Sequence, residues 1–205
     1  MHVKKTMLGV LAAGTVALTL TAGGGIATAK DNAHRQDGPA APRQTIGSEA
    51  RAAHRAVKSN AVGTYVVIHS LYSRTSGQCL DVDINAHGVN GNKVQVWACN
   101  GSAQQRWIAW NDYSVESVKY PGMCLDADTN GQGANGTKVQ LWRCNASTQQ
   151  KWYTRANDLA IYNWRFNNNN NTVLDRDNNV PGNGAKVQLW AKNYQSQQWW
   201  RVTAQ

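Results

Sequence analysis

The chain has 205 residues, of which 41% are apolar and 16% charged, and its formal net charge is +9. That length suffices for one domain with extensions. Residues 1–62 hold eight Lys/Arg against three Asp/Glu and residues 63–205 hold thirteen against nine, so +5 of the +9 sits ahead of residue 63. The later part is only mildly basic and has no Lys/Arg cluster interleaved with aromatic residues, which argues against a nucleic-acid partner. A basic tail touching acidic cell-surface polymer stays compatible with the charge.

The first 29 residues have the form of a secretory signal peptide. Lys4 and Lys5 supply a positive start, Met7 to Leu20 an apolar stretch, and Ala27-Thr28-Ala29 a cleavage site of small residues. The apolar part is short and Gly-interrupted for a membrane span. A retained anchor is the alternative. The expectation is therefore a secreted, extracellular protein that meets the membrane only through its signal peptide. Residues 30–62 are rich in Ala, Arg, His, Gln and Pro and show no clean period, so a disordered linker or pro-segment is expected, with a short helix possible at Ser48 to Lys58.

From residue 63 onward three blocks recur in order. The first copy reads Cys79-Leu80-Asp81-Val82-Asp83, Lys93-Val94-Gln95-Val96-Trp97-Ala98-Cys99 and Gln104-Gln105-Arg106-Trp107. The second reads Cys124-Leu125-Asp126-Ala127-Asp128, Lys138-Val139-Gln140-Leu141-Trp142-Arg143-Cys144 and Gln149-Gln150-Lys151-Trp152. The third reads Val173-Leu174-Asp175-Arg176-Asp177, Lys186-Val187-Gln188-Leu189-Trp190-Ala191-Lys192 and Gln197-Gln198-Trp199-Trp200. Trp97, Trp142 and Trp190 are 45 and 48 residues apart, as are Trp107, Trp152 and Trp200. One supersecondary unit is thus used three times.

Within each copy, Val94-Gln95-Val96-Trp97 and its equivalents alternate as half-buried strands do. Asn90-Gly91, Asn135-Gly136 and Asn183-Gly184 are hairpin signals between the two blocks. Tyr65 to His69, Ser114 to Tyr120 and Ala160 to Phe166 read as opening strands, and the segments bearing Trp107, Trp152 and Trp200 as closing ones. Four strands per unit give twelve. Three units closing on one another would form an all-β, pseudo-threefold body without free strand edges. Its inward set is Leu80, Val94, Val96, Trp107, Leu125, Val139, Leu141, Trp152, Leu174, Val187, Leu189 and Trp200.

All four cysteines lie in the repeats, and both Cys79/Cys99 and Cys124/Cys144 are separated by 20 residues. Four cysteines allow three pairings. Repeat symmetry favours the one in which each unit closes its own loop, and an exported protein meets an oxidising compartment. A zinc site from the four is the alternative, though the close pairing such sites favour is missing. Unit three has Val173 and Lys192 instead, so the staple is optional to the fold.

The outward residues carry the functional signal. Each unit aims an Asp, a Gln and a Trp at one side, joined by a Gln pair from the next turn: Asp81, Gln95, Trp97, Gln104 and Gln105; Asp126, Gln140, Trp142, Gln149 and Gln150; Asp175, Gln188, Trp190, Gln197 and Gln198. An indole is a flat apolar plate. A carboxylate accepts charge-assisted hydrogen bonds, and carboxamides both donate and accept. That set suits a pyranose, which has one apolar face and a polar rim. The Asp residues also have the bland role of capping turns. The Asp81-x-Asp83-x-Asn85 and Asp126-x-Asp128-x-Asn130-Gly131 runs lack the twelfth-position Glu of a calcium-binding EF-hand loop, and neither metal nor cofactor is expected. Three copies of one carboxylate environment are a poor basis for acid–base catalysis, which needs unlike groups, and no nucleophile or metalloprotease motif occurs. The chain reads as a non-enzyme.

These blocks resemble the ricin B-chain type β-trefoil lectins, and among them the actinobacterial carbohydrate-binding modules. The resemblance spans roughly residues 63–205. It implies a twelve-stranded trefoil with up to three sugar sites for galactose-like or xylan-type glycans, on plant or microbial polysaccharide. A monomer is expected. It gives hydroxyl binding to Asp81, Asp126 and Asp175, ring stacking to Trp97, Trp142 and Trp190, and completion of the site to Gln104, Gln149 and Gln197. The family often has Asn where these three Gln stand, and Asp175 to Trp190 is 15 residues against 16 in the other units. A protein-binding trefoil, such as a protease inhibitor acting through a unique loop like Asn167 to Asn171, is the competing reading.

Overall fold

The computed structural model describes residues 5–7, 61–167 and 171–205. A three-residue strand, β1 (Lys5–Met7), lies antiparallel to β9 (Trp152–Arg155), with Lys5 opposite Arg155. The expected leader, linker and Ser48 to Lys58 helix otherwise fall outside the described residues, as does the centre of the Asn167 to Asn171 run.

The repeats form twelve strands. Unit one is β2 (Gly63–Ser70), β3 (Gln78–Val82), β4 (Asn92–Ala98) and β5 (Arg106–Trp110). Unit two is β6 (Val115–Ser117), β7 (Met123–Ala127), β8 (Thr137–Arg143) and β9. Unit three is β10 (Ile161–Asn163), β11 (Thr172–Arg176), β12 (Val187–Ala191) and β13 (Trp200–Ala204). The opening strands of units two and three are shorter than the sequence suggests, and after Asn163 the chain leaves the ladder in a turn.

Two closed rings organise the body. The outer strands form a barrel in which β2 pairs with β5 and β13, β5 with β6, and β9 with β10. The bridge Ser114–Lys151 and the bond from Trp200 N to Leu159 O complete the circle. The inner hairpins β3–β4, β7–β8 and β11–β12 meet around the pseudo-threefold axis, with β4 pairing β8, β8 pairing β12, and a bridge from Gln95 to Lys186.

The Asn-Gly turns tie this second ring. Asn90 Oδ1 accepts from Arg143 N at 2.8 Å, Asn135 Oδ1 from Ala191 N at 2.6 Å, and Asn183 Oδ1 from Ala98 N at 2.7 Å. Each following glycine has positive φ and donates its N–H to the same neighbouring strand, at Leu141 O, Leu189 O and Val96 O. A side chain at such a φ would be strained. Every unit therefore hydrogen-bonds the next, and the third returns to the first.

The twelve residues expected to face inward all lie in one buried cluster. Trp107, Trp152 and Trp200 anchor it. Each indole N–H donates to the carbonyl of its own unit's Leu80, Leu125 or Leu174, at 3.2, 2.9 and 2.9 Å, so no indole N–H of this set is left unpaired in the core.

The staples are Cys79–Cys99 and Cys124–Cys144, with Cα separations of 5.1 and 5.0 Å. Closing a loop of this size stabilises by roughly 3 kcal/mol in the chain-entropy model. Where unit three lacks cysteines, Lys192 Nζ donates to Asp158 Oδ2 at 2.7 Å and Tyr162 Oη at 2.8 Å. Tyr162 Oη in turn donates to Asp158 Oδ2 at 2.5 Å. Tyr153, Ala160, Tyr162 and Val173 make a second, smaller apolar cluster behind them.

A buried tryptophan and an exposed one should differ sharply in cost. We expect Trp152→Ala to destabilise by about 3–5 kcal/mol, and Trp142→Ala by less than about 1 kcal/mol. Urea unfolding followed by circular dichroism checks both.

Candidate functional site

Strand pairing sets the outer face of each hairpin. Cys79 stands opposite Trp97, and Asp81 opposite Gln95, so all four share the side away from Leu80, Val82, Val94 and Val96. The same registers place Asp126 opposite Gln140 with Trp142 two residues on, and Asp175 opposite Gln188 with Trp190 two residues on. The sequence-predicted Asp, Gln and Trp do gather on one side.

That side is not uniformly exposed. Trp97, Trp142 and Trp190 are 40, 38 and 36% exposed, whereas Asp81, Asp126 and Asp175 are only 4, 4 and 3% exposed. The expectation of aspartates standing open to solvent is corrected accordingly: they are recessed beside exposed indoles. The reason is the glutamines. Gln95 Nε2 donates to Asp81 Oδ1 at 3.1 Å, Gln140 to Asp126 Oδ1 at 3.3 Å, and Gln188 to Asp175 Oδ1 at 3.1 Å. From the opposite flank, Gln105, Gln150 and Gln198 donate to the Oδ2 atoms at 3.1, 3.0 and 3.1 Å.

The second set of glutamines is fixed by the loop it closes. A short 3-10 turn, Ala103–Gln105, Thr148–Gln150 or Ser196–Gln198, delivers each one. Gln105 Oε1 accepts from Asn100 N at 2.8 Å while its Nε2 also reaches Ala98 O at 3.0 Å. Gln150 and Gln198 repeat both contacts on Asn145 N and Arg143 O, and on Asn193 N and Ala191 O. One amide thus binds the loop, the strand end and the carboxylate. Gln104, Gln149 and Gln197 precede this anchor; Gln104 is half-buried and the other two are buried. Gln149 Oε1 is buried without a hydrogen-bond partner, a costly condition for an acceptor.

Burial raises the pKa of all three aspartates, and the glutamine N–H donors only partly offset it. Asp175 is pushed furthest, to about 6, with Asp177 adding a smaller repulsion. Each carboxylate carries about four lone-pair positions, and the two amides occupy two of them.

Neighbouring units supply the border. A Cβ at Gly184 of unit three would lie 3.9 Å from both Gln95 Oε1 and Trp97 Cζ3 of unit one. Lys93 Nζ holds the Gly184 carbonyl at 2.7 Å, and Lys138 Nζ holds that of Gly91 at 2.6 Å. In unit three Lys186 instead approaches Asp177 Oδ2 at 3.7 Å. Asp83, Asp128 and Asp177, the second acids of the Leu-Asp blocks, accept N–H groups of their own turns from Asn85, Asn130 and Asn179. They act as turn caps.

Arg176 escaped the sequence reading. It occupies the position of Val82 and Ala127 and is fully buried, bonding Asp177 O, Val180 O, Gly182 O and Gln78 Oε1 and packing on Tyr72 at 4.5 Å. It shapes the shorter unit-three loop, and only its break with the repeat pattern marks it.

The ricin-type beta-trefoil lectin domain model matches residues 67–200, and the chain belongs to that family of carbohydrate-binding lectins. Its fold is similar to the β-trefoil lectin of the Vibrio vulnificus hemolysin/cytolysin, solved with N-acetyl-D-lactosamine bound. That likeness has a TM-score of 0.55 at 26% identity and covers 70% of this chain and 96% of that one. It is also similar to the agglutinin from Abrus precatorius, with a TM-score of 0.56 at 23% identity over 69% of this chain, spanning about half (48%) of that one. The designed threefold-symmetric protein ThreeFoil gives a TM-score of 0.55 at 24% identity, over 68% of this chain and 97% of that one. Among curated proteins none matches.

The raised acid has a defined pH signature. Because the folded value of Asp175 lies above the ordinary 3.8, the folded state holds the proton more tightly than the unfolded chain. Its favourable contribution is complete below pH 3.8 and disappears as pH rises through about 6. Carbon-13 carboxyl titration should place Asp175 highest among Asp81, Asp126 and Asp175. A value for it at or below 4 would contradict this burial.

Proposed function

We propose that the chain is a secreted lectin that holds galactose-like or xylan-type glycans in up to three shallow sites, one per unit. The observation that carries the reading is the threefold repetition of a half-exposed indole beside a carboxylate whose two oxygens are each steadied by an amide. Trp97, Trp142 and Trp190 take the ring face. Asp81, Asp126 and Asp175 accept ring hydroxyls on their remaining lone pairs. Gln95, Gln105, Gln140, Gln150, Gln188 and Gln198 serve chiefly by fixing those carboxylates. Gln104, Gln149 and Gln197 flank the ligand.

The N-acetyl-D-lactosamine held by the Vibrio vulnificus lectin supports the galactose-type reading. The two disulfides suit an extracellular protein, released by cleavage after Ala29. Each site would be weak, about millimolar, because a monosaccharide offers few atoms. Three sites on one monomeric body gain by avidity on a polymer.

Two measurements test this. A chain with Trp97→Ala, Trp142→Ala and Trp190→Ala should keep its circular dichroism spectrum and lose retention on immobilised galactosides and xylan; undiminished retention rejects the site. A chain with Trp97→Ala and Trp142→Ala retains only the unit-three site. Its glycan affinity should fall as pH drops through about 6, because a protonated Asp175 loses its charge-assisted hydrogen bonds. Affinity that stays flat from pH 7 to 5 would remove Asp175 from the site.

A further inference from the structure

Outside the glycan face, the strand register brings a histidine against one of the two staples. His69 on β2 stands opposite Cys79 on β3, and its Nδ1 lies 3.6 Å from Cys79 Sγ and 3.8 Å from Cys99 Sγ. The matching place in unit two is Glu116, opposite Cys124. Its Oε2 accepts from Trp110 Nε1 at 2.8 Å and its Oε1 from Gly122 N at 2.7 Å. In unit three the place belongs to Tyr162, opposite Val173. Unit one alone puts an imidazole there.

We propose that reduction of Cys79–Cys99 opens a zinc site made of Cys79 Sγ, Cys99 Sγ and His69 Nδ1. The three atoms lie within 4.8 Å of one another. A tetrahedral zinc with Zn–S near 2.3 Å and Zn–N near 2.05 Å sets its sulfur and nitrogen ligands about 3.5 Å apart and its two sulfurs about 3.8 Å apart. The nitrogen is therefore already at ligand distance from both sulfurs. The sulfurs need only rotate apart on backbones 5.1 Å apart at Cα. Cys99 is exposed and His69 half-buried, so a fourth position faces water, as in an open three-ligand site.

The chemistry balances simply. A dithiol reductant supplies two electrons and two protons, the S–S bond breaks, each Sγ receives a proton, and the reductant leaves as its own disulfide. Zinc then displaces both thiol protons. Unit three holds the same register with neither cysteine, so a unit-one hairpin without its staple is compatible with the trefoil. The zinc reading that fails for four scattered cysteines thus returns with two of them and a histidine.

The test uses the full chain with Cys124→Ser and Cys144→Ser, reduced anaerobically with a phosphine and titrated with cobalt(II), then with zinc. We expect a thiolate-to-cobalt charge-transfer band that saturates at one metal per chain and is abolished by zinc. The oxidised protein should give none, and His69→Gln should weaken the affinity at least about tenfold. Absence of the band, or equal affinity in His69→Gln, overturns the site. If the double Ser variant fails to fold, the reduced natural chain is compared with its His69→Gln variant. Loss of one tight zinc equivalent supports the site, and no loss overturns it.

Discussion

The arrangement rests on a charged group that is kept almost out of water. In each unit an aspartate sits on the outer face of a hairpin, with one glutamine donating to each of its oxygens. A buried carboxylate without donors would be expensive. With them it becomes a fixed acceptor whose direction is set before any ligand arrives. Preorganisation of this kind lowers the cost of binding, which matters most where the ligand is small and each contact weak.

The glutamines also explain why the site and the fold are hard to separate. Gln105, Gln150 and Gln198 each satisfy a loop N–H, a strand carbonyl and the carboxylate at once. Around the axis the unit-three Asn-Gly turn borders Gln95 and Trp97 of unit one, while the turns of units one and two border Gln140 and Gln188, so each cradle is walled partly by another repeat. Unit three keeps the carboxylate clamp but changes its surroundings. Arg176 replaces a small apolar residue, the loop is one residue shorter, and Lys192 with Asp158 and Tyr162 stands where the staple would be. Hydrogen bonds from Lys192 and Tyr162 hold Asp158 below its ordinary value against the burial that would raise it. The highest aspartate pKa of the three cradles also belongs here.

Much of this was legible in the sequence because it is periodic. Three copies of alternating apolar residues fixed the hairpins, the inward Leu, Val and Trp sets and the two staples, and the Asn-Gly pairs marked the turns. The depth of Asp81, Asp126 and Asp175 was not legible. Polar residues on an outward face read as exposed, and only the register and the 3-10 turns show that glutamines cover them. The contacts of Arg176 and Lys192 were not legible for the opposite reason. They break the repeat, and one partner of each, Gln78 for Arg176 and Asp158 for Lys192, comes from a distant stretch. The ring of turn contacts is likewise invisible to local pattern, since each bond joins residues about 50 or more positions apart.

A structure of the chain soaked with lactose tests the central claim most directly. The account predicts a galactose ring lying flat on Trp97, Trp142 or Trp190, with a hydroxyl within hydrogen-bond distance of Asp81, Asp126 or Asp175 in that same unit and both glutamine contacts intact. Sugar bound elsewhere on the body, with all three carboxylates holding only their glutamines, would contradict it.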